Sequence, residues 1–290
     1  MSAESFSLAA LICLGLGSAA ALAGFWHERF RNNSSQFIAV GLGIFFKTLA
    51  IGAACSKNGQ HFFSSASEMA GLLGWALGIS YLLALAVSAA RSLGAVILPL
   101  VTVLMALSHI LNKESVDPGV PADQLLAVHI VSAFLGYGLF LTACGASVLY
   151  LGQSVLLKRK TFGAIFKDMP SLDRLERLEI LCSWLGLVAF SIAIAAGAVI
   201  ASRLNRPFWT EPKVLATQIT WLIFGVLVIG RAARWLNGRV AAKVVLAGAA
   251  LVLVTFALSH PLFSRAASMN EPSGAIDAVA QTQRLESRRP

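Results

Sequence analysis

Long apolar runs, separated by short clusters of charge, set the pattern of this chain. Eight such runs fall near Phe6–Trp26, Gln36–Cys55, Met69–Ala90, Gly94–Leu111, Leu125–Leu157, Ile180–Ser202, Val214–Gly230 and Val244–Phe263. A helix needs about 20 apolar residues to cross the hydrocarbon of a bilayer, and each run comes close to that length or exceeds it. Lys47 interrupts the second run, Pro99 lies inside the fourth, and the seventh is short. The pattern predicts an all-α fold, a polytopic membrane helical bundle of about eight transmembrane helices.

The fifth run organises the rest. No charged residue lies between Asp123 and Lys158, and Lys158, Arg159 and Lys160 close its far end. His129 sits a turn inside the first end. Ser132, Gly136 and Ala143 share roughly its helical face, where small side chains let a neighbouring helix or a flat ligand come close.

Eight spans return both termini to one side, and the basic residues choose which. The connections after odd-numbered spans carry thirteen of the 23 Lys and Arg residues, among them Arg29, Arg91, Lys158, Arg174, Arg231 and Lys243; the opposite connections and the tail carry nine, and Lys47 is the remaining one. Cytoplasmic loops concentrate positive charge, so both termini are expected outside.

Composition agrees with the pattern. The chain is 57% hydrophobic and 13% charged, with a mean hydropathy of +0.74; a soluble domain carries about twice that charged fraction. The net charge of +9 is then read as basic cytoplasmic loops and not as a surface for nucleic acid. The N-terminus lacks a basic region and carries Glu4, so it reads as the first spanning helix and not as a cleaved leader. Four cysteines, none in a C-x-x-C pattern, argue against thiol redox work and covalent haem attachment. No nucleophile–base constellation or phosphate-cradling loop is present, and enzymatic activity is not expected.

Three segments follow: an N-terminal four-helix membrane segment (1–123), a membrane core (124–263) and a polar tail (264–290) expected to be disordered and extracytoplasmic. In the inner loop Lys158–Glu179, Ser171 is a good N-cap, Asp173 and Arg177 are spaced as an ion pair, and Leu172, Leu175 and Leu178 make an apolar stripe. This predicts an amphipathic entry into the sixth span, lying at the inner membrane surface.

Of the five histidines, His27 falls on the inner side, whereas His61, His109, His129 and His260 fall at or beyond the outer face. Histidines near a bilayer surface often bond only to a carbonyl or to water. His129 and His260 each lie near the end of an apolar run, where an ionisable residue points to function. Imidazole ligates haem iron, zinc or copper. Two imidazoles on one iron need facing nitrogens about 4 Å apart, twice the ~2 Å metal–nitrogen bond. Lys47 either snorkels or pairs within the bundle, or it offers a cation to an anionic group such as a haem propionate.

The runs LLAVHIVSAFLGYGLFLTACGASVLYL, MPSLDRLERLEILCSWLGLVAFSIAIAAGAV, FWTEPKVLATQITWLIFGVLVIGRAARWLNGRVAAK and TFALSHPLF follow one another over Gln124–Phe263. In this order they resemble the HemX/CcsA-like cytochrome c assembly protein family, with the first four spans matching the HemX/YpjD-type branch in number and character. The Pro170–Glu176 and Ile219–Ile223 runs are specific in combination. The resemblance implies a haem-handling protein of the bacterial inner membrane connected with cytochrome c maturation. It also implies that a histidine opening the fifth span and another beyond a tryptophan-rich loop bind iron at the outer face. His129 matches the first position and His260 the second.

Departures from the family pattern matter equally. Full haem-delivery members carry W-x-W-D-P-K before the seventh span; here the stretch is Phe208-Trp209-Thr210-Glu211-Pro212-Lys213. Phe208 and Trp209 are what is left of an aromatic wall. Where those members place a histidine late in the seventh span, this chain has Ile229.

The leading expectation is therefore a non-catalytic haem-binding accessory protein in cytochrome c biogenesis, with haem held non-covalently. His129 and His260 would be metal ligands, with Trp209, Phe208 and Lys47 around the cofactor. Expected partners are haem, other cytochrome c maturation proteins or haem-synthesis enzymes, and membrane lipid. A second reading is a membrane regulator or scaffold of tetrapyrrole metabolism acting through the Lys158–Glu179 loop, for which Leu175→Asp would be disruptive. A weaker third is a small-solute or metal transporter.

Overall fold

The computed structural model describes residues 3–24, 33–58, 65–88, 91–111, 123–160, 170–204 and 212–258. Eight α-helices account for nearly all of them: α1 Ala3–Ala23, α2 Asn33–Asn58, α3 Ala66–Ser88, α4 Arg91–Ile110, α5 Gln124–Lys158, α6 Leu172–Arg203, α7 Pro212–Ala232 and α8 Gly238–Leu258. Each coincides with one of the eight apolar runs. Seven of them, α1 to α7, are long and apolar enough to cross a membrane by length and composition. Pro99 sits inside α4 without ending it. The chain is a multi-pass helical membrane protein.

The helices run up and down. Asp123 at the start of α5 pairs with Arg203 at the end of α6, at 3.1 Å. At the opposite end Glu176, early in α6, pairs with Arg231, late in α7, at 2.9 Å. The end that joins α5 to α6 and α7 to α8, the basic end, holds Lys158, Arg159, Arg174, Arg177, Arg231, Arg234 and Arg239.

In a bilayer, lipid tails are as apolar as leucine, so helices associate through close packing and buried polar bonds. Both are concentrated on α5, which packs against α3, α6 and α8. Gly138 faces the backbone of α3, where a β-carbon would stand 2.7 Å from the carbonyl of Ala76. The same crossing buries Ser80 and Thr142, whose hydroxyls are 2.7 Å apart. On the α6 side, Gly136 admits Phe190, and Ala143 is fully buried. The small-residue face expected around His129 is therefore a helix–helix interface.

Two local expectations hold and one changes. Ser171 caps α6 by accepting from the Arg174 amide, and Arg177 pairs with Asp173 at 2.8 Å. The amphipathic entry, however, is continuous with the sixth span in a single 32-residue helix. Its apolar stripe does not lie on a membrane surface: Leu175 and Leu178 are 1% and 2% exposed and belong to the bundle core. A stripe at helical spacing that reaches the bundle's end is buried by the neighbouring helices before lipid can compete for it.

Candidate functional site

His129 lies just over a turn into α5, where Asp123 sets the start of the helix by accepting from the Leu126 amide at 2.9 Å. Its Nδ1 is 2.7 Å from the carbonyl oxygen of Ala193 on α6. A carbonyl only accepts, so Nδ1 carries the hydrogen and donates it. In the neutral ring this leaves the lone pair on Nε2. Gly197, one turn beyond Ala193, lies against the ring: a β-carbon there would stand 2.9 Å from Cε1 and 3.1 Å from Nδ1. The imidazole is thus seated on α6 against the Ala193 carbonyl and Gly197, and it is only half-buried.

An Nδ1–H donated to a backbone carbonyl is the usual outer-sphere support of a metal-ligating histidine. It fixes the tautomer, orients the ring and raises the basicity of the other nitrogen. The donor chemistry at His129 therefore fits an axial ligand to haem iron through Nε2.

Lys47 is buried at 7% exposure. Its ammonium donates to Ser7 Oγ on α1 at 3.3 Å. The same Ser7 Oγ is hydrogen-bonded with Nε2 of His109, 3.2 Å away. The lysine also packs over Gly71 of α3. Lys47 is thus held by α1 and α3, whereas His129 is held by α6. His260, Phe208 and Trp209 lie outside the described residues, as do His27 and His61. Among the described residues no three of His, Cys, Asp and Glu are grouped as a metal cluster.

Sequence reasoning missed three arrangements. The Ser7–Lys47–His109 chain joins residues up to 102 positions apart, and no local pattern announces it. Ser65 and Glu68 form a reciprocal box at the start of α3, each amide bonded to the other's side chain at 3.2 Å; the S-x-x-E spacing before an apolar run was the available signal. On α6, Glu179 turns into the bundle and accepts from Ser147 of α5 at 2.9 Å. On a different face of α6, α6 and α7 enclose a shallow groove of about 360 Å³ lined by Ser191, Ile194, Ala195, Gln218, Trp221 and Leu222, in which Trp221 donates to Ser191 at 2.8 Å.

Residues 63–263 match the model of the cytochrome C assembly protein family, and the chain belongs to that family. Protein HemX of Bacillus subtilis (strain 168) is 28% identical over 132 residues, which cover 45% of this chain and 48% of that protein. The chain thus spans about half the length of that relative. Cytochrome c biogenesis protein CcsA of Pyropia yezoensis is 25% identical over 233 residues, 66% of this chain and 73% of that protein. CcsA of Synechococcus elongatus is 26% identical over 253 residues, 71% of this chain and 78% of the relative.

Proposed function

We propose that this protein is a haem-binding accessory factor of cytochrome c biogenesis in the bacterial inner membrane, and that it holds haem without catalysing a reaction. The observation that carries the reading is the 2.7 Å bond from His129 Nδ1 to the Ala193 carbonyl, which presents Nε2 as the basic nitrogen of a pre-oriented imidazole. Membership of the cytochrome c assembly family and likeness to proteins named for cytochrome c biogenesis support it.

Bound haem would supply an iron that protein nitrogen can ligate. On this reading His129 and His260 would hold it at the outer face, and Phe208 and Trp209 would line the porphyrin. Lys47 stands in a separate helix group, and its part is to meet an anionic edge of the ligand. Partners are other maturation proteins or haem-synthesis enzymes. The apolar stripe through Leu175 is core, so it offers no docking face to a regulatory partner.

The test is a reduced-minus-oxidised absorption spectrum of detergent-purified protein from haem-replete cells, with wild type beside His129→Ala and His260→Ala. A haem spectrum lost in both variants is expected. A colourless wild type that haemin does not reconstitute, or a His129→Ala variant with unchanged absorbance, would overturn the reading.

A further inference from the structure

From the basic end, α6 carries Glu176, Glu179 and Ser183 down one face at spacings of three and four. Tyr150 and Ser147 of α5, three apart, stand opposite. Glu176 is paired with Arg231 and hydrogen-bonded by the Tyr150 hydroxyl. Glu179 Oε2 accepts from Ser147 Oγ. Past Ser183 the same face continues to Gly186 and Phe190. Phe190 meets Phe140 edge-on at 5.5 Å, and Phe140 stacks on Phe224 at 3.7 Å. A polar track about 10 Å long, at 1.5 Å per residue, thus enters the bundle from the basic end and stops at three aromatic rings.

The inner part of the track is incompletely satisfied. Glu179 is 1% exposed and Ser183 0%, yet Glu179 Oε1 and Ser183 Oγ have no hydrogen-bond partner among the described residues. Arg231 is already shared between Glu176 and the Leu236 carbonyl. The other titratable groups toward the interior of the packed helices include Cys182 on α6 itself, Tyr137, Cys144 and Tyr150 on α5, Arg239 on α8 and Tyr81 on α3. Arg239 is bonded to the Ser154 carbonyl, and Tyr81 to Gln36. Arg231 and Glu176 act on Glu179 with opposite signs, and a buried carboxylate whose nearest cation is already paired elsewhere is disfavoured.

A metal ion is poorly served there. Interior helical carbonyls are spent on the helices' own bonds, leaving the side-chain oxygens of Glu179, Ser147 and Ser183, whereas a hard cation takes about six to eight oxygens. A proton needs one oxygen to sit on and one acceptor, and both orphaned atoms are then used.

We propose that Glu179 is a proton-binding site at the blind end of a polar track that opens at the basic end of the bundle. Oε1 takes the proton from water at that end, Oε2 keeps the bond from Ser147, and the new O–H is directed to Ser183 Oγ, through one water where the gap requires it. The proton leaves by the same route, and the aromatic rings separate the site from the end that carries His129. The proposal stands apart from the haem reading.

The experiment is infrared spectroscopy of the full-length protein in detergent at neutral pH, in H2O and after mixing into D2O. Wild type is expected to show the carbonyl-stretch band of a protonated carboxylic acid, lowered in D2O soon after mixing and missing in Glu179→Gln. No such band, or one that survives Glu179→Gln, would overturn the site. A band that never exchanges would overturn the open track. An absent band together with sodium-dependent thermal stabilisation would replace the proton with a metal ion. Where Glu179→Gln fails to fold, Ser147→Ala serves: it removes one hydrogen bond from Oε2 and must raise the band's frequency, and an unmoved band overturns the assignment.

Discussion

Gly197 of α6 and His129 of α5 are in such close contact that a β-carbon at position 197 would stand 2.9 Å from the imidazole Cε1. The ring is pinned between this glycine and the Ala193 carbonyl, so its orientation is set by α6 and not by its own helix.

Gly197→Ala should therefore tilt the ring and lengthen the Nδ1–H bond without adding or removing a ligand. Loss of the group that orients a metal-ligating histidine costs about 10–100-fold in affinity. The expected result is haem affinity reduced by at least about tenfold, with helical content unchanged by circular dichroism. Haemin titration followed at the Soret band measures it. Unaltered affinity would mean that the ring's seat on α6 is structural only.

Gly238 opens α8 beneath Glu176 and Tyr150, and a β-carbon there would overlap the Glu176 carboxylate and the Tyr150 hydroxyl. The same carboxylate holds Arg231, whose side chain is 11% exposed and which also bonds the Leu236 carbonyl in the turn between α7 and α8. Gly238→Ala should push Glu176 away from Arg231 and loosen that turn. A loss of roughly 1–3 kcal/mol is expected, the range for breaking a partly buried polar network. Thermal unfolding in detergent, compared with Glu176→Gln, checks it. The two variants should be less than additive because they remove the same bond.

The helices were legible in the sequence because a bilayer sets a length and apolarity that no loop satisfies. All eight runs became helices, and the Ser171 cap and the Asp173–Arg177 pair were read from spacing alone. What could not be read was the direction of each polar side chain. Glu179 follows Leu178 in a run that looked like an amphipathic surface, but α5 and α6 pack so closely that this side is interior. Period fixes which residues share a face, whereas the neighbouring helices fix whether that face meets water, lipid or protein. For His129 the sequence marked an imidazole near a helix end. Its partner carbonyl, 64 residues away, was beyond any local pattern.

Leu175 and Leu178 turn a proposed docking stripe into a stability question. At 1% exposure, Leu175→Asp buries an unpaired carboxylate and removes core packing, so about 3–5 kcal/mol should be lost. The protein should fail to accumulate whatever it binds. Arg174 and Arg177 are exposed on the same segment, and their charge reversal should change stability by only about 0.5 kcal/mol. Co-purification of membrane partners with the Arg174→Glu, Arg177→Glu double variant is thus the usable test of a docking role for this segment. Loss of a co-purifying partner in that stable variant would favour the scaffold reading.

Lys47, Ser7 and His109 make the sharpest distinction between holding the fold and meeting a ligand. Ser7→Ala takes away the acceptor of the Lys47 ammonium and leaves a charge that is 7% exposed without that bond. Destabilisation of about 1–3 kcal/mol is expected. Lys47→Met keeps the volume and removes the charge together with its desolvation cost, so stability should be held or improved. If Lys47 acts only within the bundle, Lys47→Met purifies with wild-type haem content. If its ammonium meets an anionic edge of the cofactor, the variant is stable but binds haem more weakly. A thermal melt beside a haemin titration on the same sample separates the two, because a purely structural lysine cannot lower affinity in a protein that melts no earlier than wild type.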